Sequence, residues 1–381
     1  VANLFLLYLL ASAVAAEIAR NGQPAILRVL RCLALTCAFY AFLFVVAYVG
    51  GLSLGIPLAL DDFTTNFSNI RFFNHAQTST LPLLILLCCL TPRTARLRWL
   101  WLAVASYWWM ALFATNGRGT LLGMAAGSVA VVVLARRRAV PYLRQVALTA
   151  AFGLLAYFIF LVVVPALLGA EGMSSFAYTL QRTAADPASG RTLLWHLAAT
   201  LIEQHPSLGV GPMHFANHAG YLQIGAHPHD WLLQVGAEWG LPALACLLVA
   251  VASGLRALLR AGARVRQDDV ADQAIFAALL MGAVAILVDG LVSGVFVMPQ
   301  SQLAIALYLG CAIGWQRTVG PAAIIAPGGI RRAVGAICVV AAMVGVIAGA
   351  WPEAGARLRG EELKPLNTGL YSPRLWKAGY F

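Results

Sequence analysis

Apolar residues gather in long runs along this chain instead of alternating with polar ones. Ten runs lie near residues 1–19, 32–52, 79–92, 99–114, 120–135, 146–169, 231–255, 273–297, 300–316 and 333–351. A helix needs about 20 apolar residues to cross roughly 30 Å of hydrocarbon. The third, fourth, fifth and ninth runs are short and reach that length with flanking residues. Leu, Ala and Val dominate, and the alternating ten-residue segments of a membrane barrel are absent. The pattern predicts an all-α polytopic membrane protein. It places about six transmembrane helices in 1–169, a polar loop with an amphipathic helix in 170–230, about four more helices in 231–351 and a tail in 352–381.

Composition agrees. Hydrophobic residues make up 61% of the chain and charged residues 11%; a soluble domain carries about 25% charged residues, so that class is excluded. Val1 stands inside an apolar run without an initiator Met or a basic leading segment. The start is therefore read as trimmed and not as a signal peptide. The seven cysteines all sit in apolar runs without metal-binding spacing, as small apolar helix residues do.

The net charge of +11 changes the picture only through its distribution. Arginines cluster after the first, third, fifth, seventh and ninth runs, seventeen in all, whereas the alternate gaps hold only Arg71, Arg118, Arg182 and Arg191. By the positive-inside rule the seventeen face the cytoplasm and the sparse gaps face out, with the tail outside as well. Nucleic acid is not an expected partner. Membrane lipids are. Arg71, His75, Arg118, Arg191 and the His227/His229 pair thus fall on one outer face despite their separation in sequence.

The loop from Ala170 to Asp230 holds six of the seven histidines. Charged and imidazole groups beside membrane helices are costly unless used or paired, which makes this loop the place to look for chemistry. In Thr115-Asn-Gly-Arg-Gly-Thr120, Gly117 and Gly119 permit a tight turn and close backbone approach. Arg118 can then grip phosphate bidentately, or simply snorkel at a helix end. Ser189 or Asp186 can cap a helix that starts near Arg191 and ends at Pro206. Its stripe of Leu193, Leu194, Leu197, Leu201 and Ile202 suits a helix lying on the membrane surface. Arg191 at its first turn makes either an anion site or an ordinary surface arginine. Pro206-Ser-Leu-Gly-Val-Gly-Pro-Met-His214 reads as a structural connector. His227-Pro-His229-Asp230 precedes the seventh run, with Glu238 and Gly240 further on. An imidazole with a pKa near 6.5 can take a proton from an acceptor hydroxyl. A zinc site built on the two histidines and Asp230 and a purely structural pair remain as alternatives, although His-Pro-His lacks the one-face helical spacing of zinc hydrolase motifs.

With those residues in view, the chain resembles the superfamily of bacterial O-antigen ligases, O-antigen polymerases and protein O-oligosaccharyltransferases. The resemblance rests on Gly117-Arg118-Gly119, Arg191-Thr-Leu-Leu-Trp195, Pro206-Ser-Leu-Gly-Val-Gly-Pro212 and the His229-x10-Gly240 spacing. It implies a GT-C-like bundle of some ten to twelve transmembrane helices with one large periplasmic loop, in the bacterial inner membrane. It also implies an inverting transfer of polysaccharide from undecaprenyl pyrophosphate to an acceptor hydroxyl, without metal or other cofactor. His229 would activate the acceptor, and Arg118 and Arg191 would hold the donor pyrophosphate. His227, Asp230, Arg71 and Glu238 are secondary candidates. Two departures stand out: Asp230 follows the histidine where relatives often carry Asn, and Arg191-x3 ends in Trp195 where the family pattern has Leu.

The resemblance points to a ligase acting on lipid A-core, with polymerase and protein ligase as alternatives that share the donor. A protein-ligase member usually carries a soluble extension after the last span, and the short tail here argues against that branch. A transporter of lipid-linked sugars is the reading from another class. It would need ionisable groups at mid-membrane, for which Asp289 is the one clear candidate and a packing partner its bland alternative.

Overall fold

A computed structural model describes residues 2–55, 67, 69–169, 191–219 and 225–320. The chain runs α1 (Ala2–Asn21), α2 (Gln23–Leu54), α3 (Ile70–Leu90), α4 (Leu97–Thr115), α5 (Arg118–Ala135), a 3-10 turn (Arg136–Ala139) and α6 (Val140–Ala156). Tyr157–Val163 prolong α6 as a π-helix, and Val164–Leu167 close it. After the loop come α7 (Arg191–Gln204), α8 (Phe215–Ala219), α9 (Trp231–Arg264), α10 (Val270–Gly290) and α11 (Pro299–Val319). There is no strand among the described residues. Nine of the ten apolar runs lie on these helices; 333–351 and the tail fall outside the described residues. Six of the helical segments are long and apolar enough to cross a membrane, with Arg118–Leu167 counted as one. The protein is an all-α polytopic membrane protein.

Its lipid-facing sides are apolar, with Leu35, Phe39, Phe42 and Val46 of α2 and Val129, Val132 and Val133 of α5 exposed. The centre is α3, buried almost throughout and packed on α2, α4, α5, α6, α10 and α11. This helix starts at Ile70, well before the apolar run that marks it in sequence, so Arg71 and His75 belong to the helix and not to a loop. Polar side chains survive there because they satisfy one another. Asn74 donates to Gln77 Oε1 at 3.0 Å and to Thr115 Oγ1 at 2.7 Å, and Gln77 donates to the Trp108 carbonyl at 2.7 Å. At the other end Arg98 donates to the Cys88 and Thr91 carbonyls, which the end of α3 leaves open.

Close packing joins α5 to α10. Gly119, Gly123 and Gly127 recur every fourth residue, and a Cβ on Gly123 or Gly127 would lie 2.6 Å from the Ala285 or Met281 carbonyl oxygen. On Gly119 it would meet Asp289. Small residues at this spacing let two membrane helices touch backbone to backbone.

The seventh run does not form one straight span. At Gly240 the helix breaks (φ 82°, ψ 169°), so Trp231–Trp239 is a half-helix set off from the stretch that follows. The Pro206–Gly211 connector docks into the break: Leu241 N–H donates to the Pro206 carbonyl at 2.8 Å, and Val210 N–H to the Ala237 carbonyl at 2.8 Å. A side chain on Gly240 would need positive φ and would lie 2.5 Å from the Ser207 carbonyl oxygen. Only glycine fits. The apolar stripe of α7 is largely spent on this unit as well. Leu194, Ala198 and Leu201 form a second core with Phe215, Ala219 and Ala237, leaving Leu193 52% exposed. The helix thus packs on protein along the face expected to lie on the bilayer.

Candidate active site

Four distant segments line one cavity of about 450 Å³ at a single end of the bundle. The first two turns of α3 bring Arg71 and His75, the start of α5 brings Arg118, the start of α7 brings Arg191, and the residue before the α9 cap brings His229. Asp289, at the end of α10, completes the wall. The arginine clusters Arg93–Arg98, Arg136–Arg138 and Arg256–Arg266 lie at the opposite ends of the helices they follow.

Local backbone explains how each side chain arrives. Asn116, and neither neighbouring glycine, takes the left-handed conformation that ends α4 (φ 51°). Gly117 and Gly119 have ordinary negative φ and serve close approach instead, Gly117 against Asn74 and Gly119 against Asp289. Arg118 then opens α5, where first-turn amides add to its charge as an anion-binding arrangement. Arg191 is the first described residue of α7. Arg71 donates to the Asn116 carbonyl at 3.2 Å, which ties its guanidinium to the Arg118 turn.

His229 also has positive φ (57°), uncommon for a residue with a side chain and worth about 1 kcal/mol or more of strain. That turn frees Asp230 to cap α9, where its carboxylate accepts from the Leu232 and Leu233 amides at 2.8 and 3.1 Å. Asp230 therefore acts on the helix end and does not line the cavity. The His229 amide donates to His227 Nδ1 at 3.2 Å, which fixes neutral His227 with its proton on Nε2. The two rings lie 4.0 Å apart. Trp195 Nε1 donates to the Pro228 carbonyl at 2.9 Å, so the tryptophan that departs from the family pattern clasps the His-Pro-His turn to α7.

Both imidazoles are held neutral. Burial, then His227, Arg191 and His75, pushes His229 well below 6.5; burial and then Arg191 pushes His227 down to about 4. His227 lies beneath His229, and a Cβ on Gly294 would come within 2.6 Å of its ring. Glu238 is remote from the cavity. It is buried on the half-helix beside Gln234 and the Met213 and Phe215 backbone, and its carbonyl accepts from the Gly211 amide of the connector at 3.0 Å.

Two ionisable wall residues, His75 and Asp289, are visible in the sequence but are not among the site residues it singles out. His75 is buried on α3, and its Nδ1 makes no hydrogen bond among the described residues. Asp289 is fully buried and accepts from Thr78, with the Thr120 and Ser293 hydroxyls close by. The signals were a polar cluster, Asn74-His75-x-Gln77-Thr78, inside a helix and one carboxylate inside an apolar run. Among the described residues no group of three or more His, Cys, Asp or Glu side chains is arranged to hold a metal ion.

A cationic, histidine-bearing cavity at one end of a membrane-spanning helical bundle is the frame these residues build. Residues 101–248 match the family model described as O-antigen ligase, so this stretch is similar to the family that the sequence motifs resemble. The matched stretch contains Arg118, Arg191, His229 and Gly240, whereas Arg71, His75 and Asp289 lie outside it. No curated protein matches the chain.

Proposed function

We propose that the protein transfers a polysaccharide from undecaprenyl pyrophosphate to a sugar hydroxyl of lipid A-core, at the periplasmic face of the bacterial inner membrane. The observation that carries this reading is the convergence of His229 with Arg71, Arg118 and Arg191 on one cavity. The orientation follows from the arginine clusters at the other end of the helices, which belong on the cytoplasmic side.

In this reaction the acceptor hydroxyl attacks the anomeric carbon of the first donor sugar. Its proton passes to His229 as the new C–O bond forms. The bond to the pyrophosphate oxygen breaks on the opposite side, which inverts the anomeric centre. Negative charge then grows on the leaving pyrophosphate, where Arg118 and Arg191 sit, and contacts that strengthen with that charge lower the barrier. A neutral imidazole suits this role, since a protonated one cannot accept the hydroxyl proton. Burial is the main reason that His229 is held neutral; the lesser contribution of the Arg191 charge is offset when the anionic donor binds, so the base strengthens once substrate is present.

Polymerase and protein-ligase chemistry share donor and site and differ in acceptor. The transporter reading loses ground, because Asp289 belongs to the same cavity as the outer arginines and not to a separate mid-membrane path. The test is in vitro transfer from undecaprenyl-pyrophosphate-linked glycan to purified lipid A-core in EDTA, with wild type and His229→Ala. Activity that survives chelation and is lost in the variant supports the proposal. Loss in EDTA favours a metal, and absence of transfer to lipid A-core from competent donor favours another acceptor.

A further inference from the structure

At the far end of α5 from the candidate active site is a second, larger cavity of about 950 Å³. Arg136, Arg137 and Arg138 line it together with Leu134, Leu259 and Phe276. Arg136 takes positive φ (53°), so the chain turns sharply where α5 gives way to the 3-10 turn that carries the three arginines. The floor is tight, because Gly262 of α9 lies directly against the Phe276 ring of α10.

Three adjacent guanidinium groups repel one another and call for a counter-charge. None of the three forms an ion pair among the described residues. The nearby carboxylates of the α9–α10 connection are engaged elsewhere. Asp268 pairs with Arg266 at 2.6 Å, Asp269 caps α10 by accepting from the Asp272 amide at 2.9 Å, and Asp272 accepts from Trp315 Nε1 at 3.0 Å. The cavity therefore offers positive charge at a helix end with apolar walls on the bilayer side.

We infer that this cavity binds the phosphate-ester headgroup of an anionic phospholipid, with its acyl chains along Leu134, Leu259 and Phe276. Free phosphate shares the headgroup chemistry but has no use for the apolar wall. Guanidinium and phosphate match in charge and in bidentate geometry. Basic pockets between membrane helices take such headgroups, and each arginine near an anionic surface contributes about 1 kcal/mol, roughly fivefold in affinity. The site is independent of the proposed transfer reaction.

The test titrates the purified full chain in neutral detergent with short-chain phosphatidylglycerol, short-chain phosphatidylcholine and inorganic phosphate. Phosphatidylglycerol should bind with clear preference over phosphatidylcholine. Replacing all three arginines by Gln should weaken its binding on the order of a hundredfold. Gln267→Glu, which adds a carboxylate to the exposed rim without changing side-chain size, should weaken it severalfold and guards against a folding defect in the triple variant. Arg31→Gln, an exposed arginine outside the cavity, should retain wild-type affinity. Equal binding by wild type and both cavity variants, or equal binding of the two lipids, overturns the assignment. Inorganic phosphate binding as tightly as phosphatidylglycerol overturns the lipid as the source.

Discussion

The glycine seam between α5 and α10 makes a quantitative demand on stability. A Cβ at Gly123 would lie 2.6 Å from the Ala285 carbonyl oxygen, and ordinary contact begins at 3.4 Å. Since the obstacle is backbone, no rotamer change relieves it, and the helices must separate by about 0.8 Å. A gap of roughly that size forfeits a quarter to a half of each dispersion contact along the seam. Overpacking of this kind costs about 1–3 kcal/mol, more than the ~1 kcal/mol by which Ala outdoes Gly as a helix former. Gly254 of α9 is the internal reference. It is helical with no described atom within 4 Å of its would-be Cβ, so Ala there should be neutral or stabilising by about 0.4–1 kcal/mol. Apparent melting temperatures of detergent-solubilised Gly123→Ala, Gly127→Ala and Gly254→Ala, at one scan rate, should rank the two seam variants lowest by a few degrees. A Gly123→Ala protein that melts at or above Gly254→Ala would refute the close approach.

Three further outcomes concern the candidate site. His229→Ala should lower kcat about 10²–10⁴-fold with a smaller change in KM for donor, measured by glycan transfer under saturating donor. Arg118→Lys keeps the charge but loses the planar fork, so donor KM should rise on the order of tenfold, and a kinetic titration of donor checks it. Finally, the folded protein prefers both buried histidines neutral, so the unfolded chain binds more protons below pH 6.5. Stability should therefore fall as pH drops from 6.5 towards 4, by about 3 kcal/mol from His227 alone, and denaturation followed across that window tests the sign.

Much of this was legible because membrane helices advertise themselves by length and composition, and because arginine clusters sort helix ends. His229, Arg118 and Arg191 could be singled out since ionisable groups on the sparse side stand out. What pattern could not supply was the third dimension. The start of α3 is polar by content and reads as a gap, yet Asn74, Gln77 and Thr115 satisfy one another and let the helix continue. Asp289 looked like a mid-span charge until α5 brought Gly119 against it. Gly240 was a motif position without a reason until the chain from Pro206 filled the break behind it. In each case the cause is a contact between segments remote in sequence, which no local period encodes.

The cavity takes its walls from two hydrophobic cores. Arg71, Arg118 and Asp289 stand on the large bundle, while Arg191 and His229 are borne by the small unit of α7, α8 and the half-helix, which has its own core around Leu194 and Phe215. The proposed base and part of the proposed anion clamp therefore share one foundation, and the rest of the clamp another. Damage to the smaller foundation would leave a protein that keeps its large bundle and carries every candidate residue, yet holds them out of register.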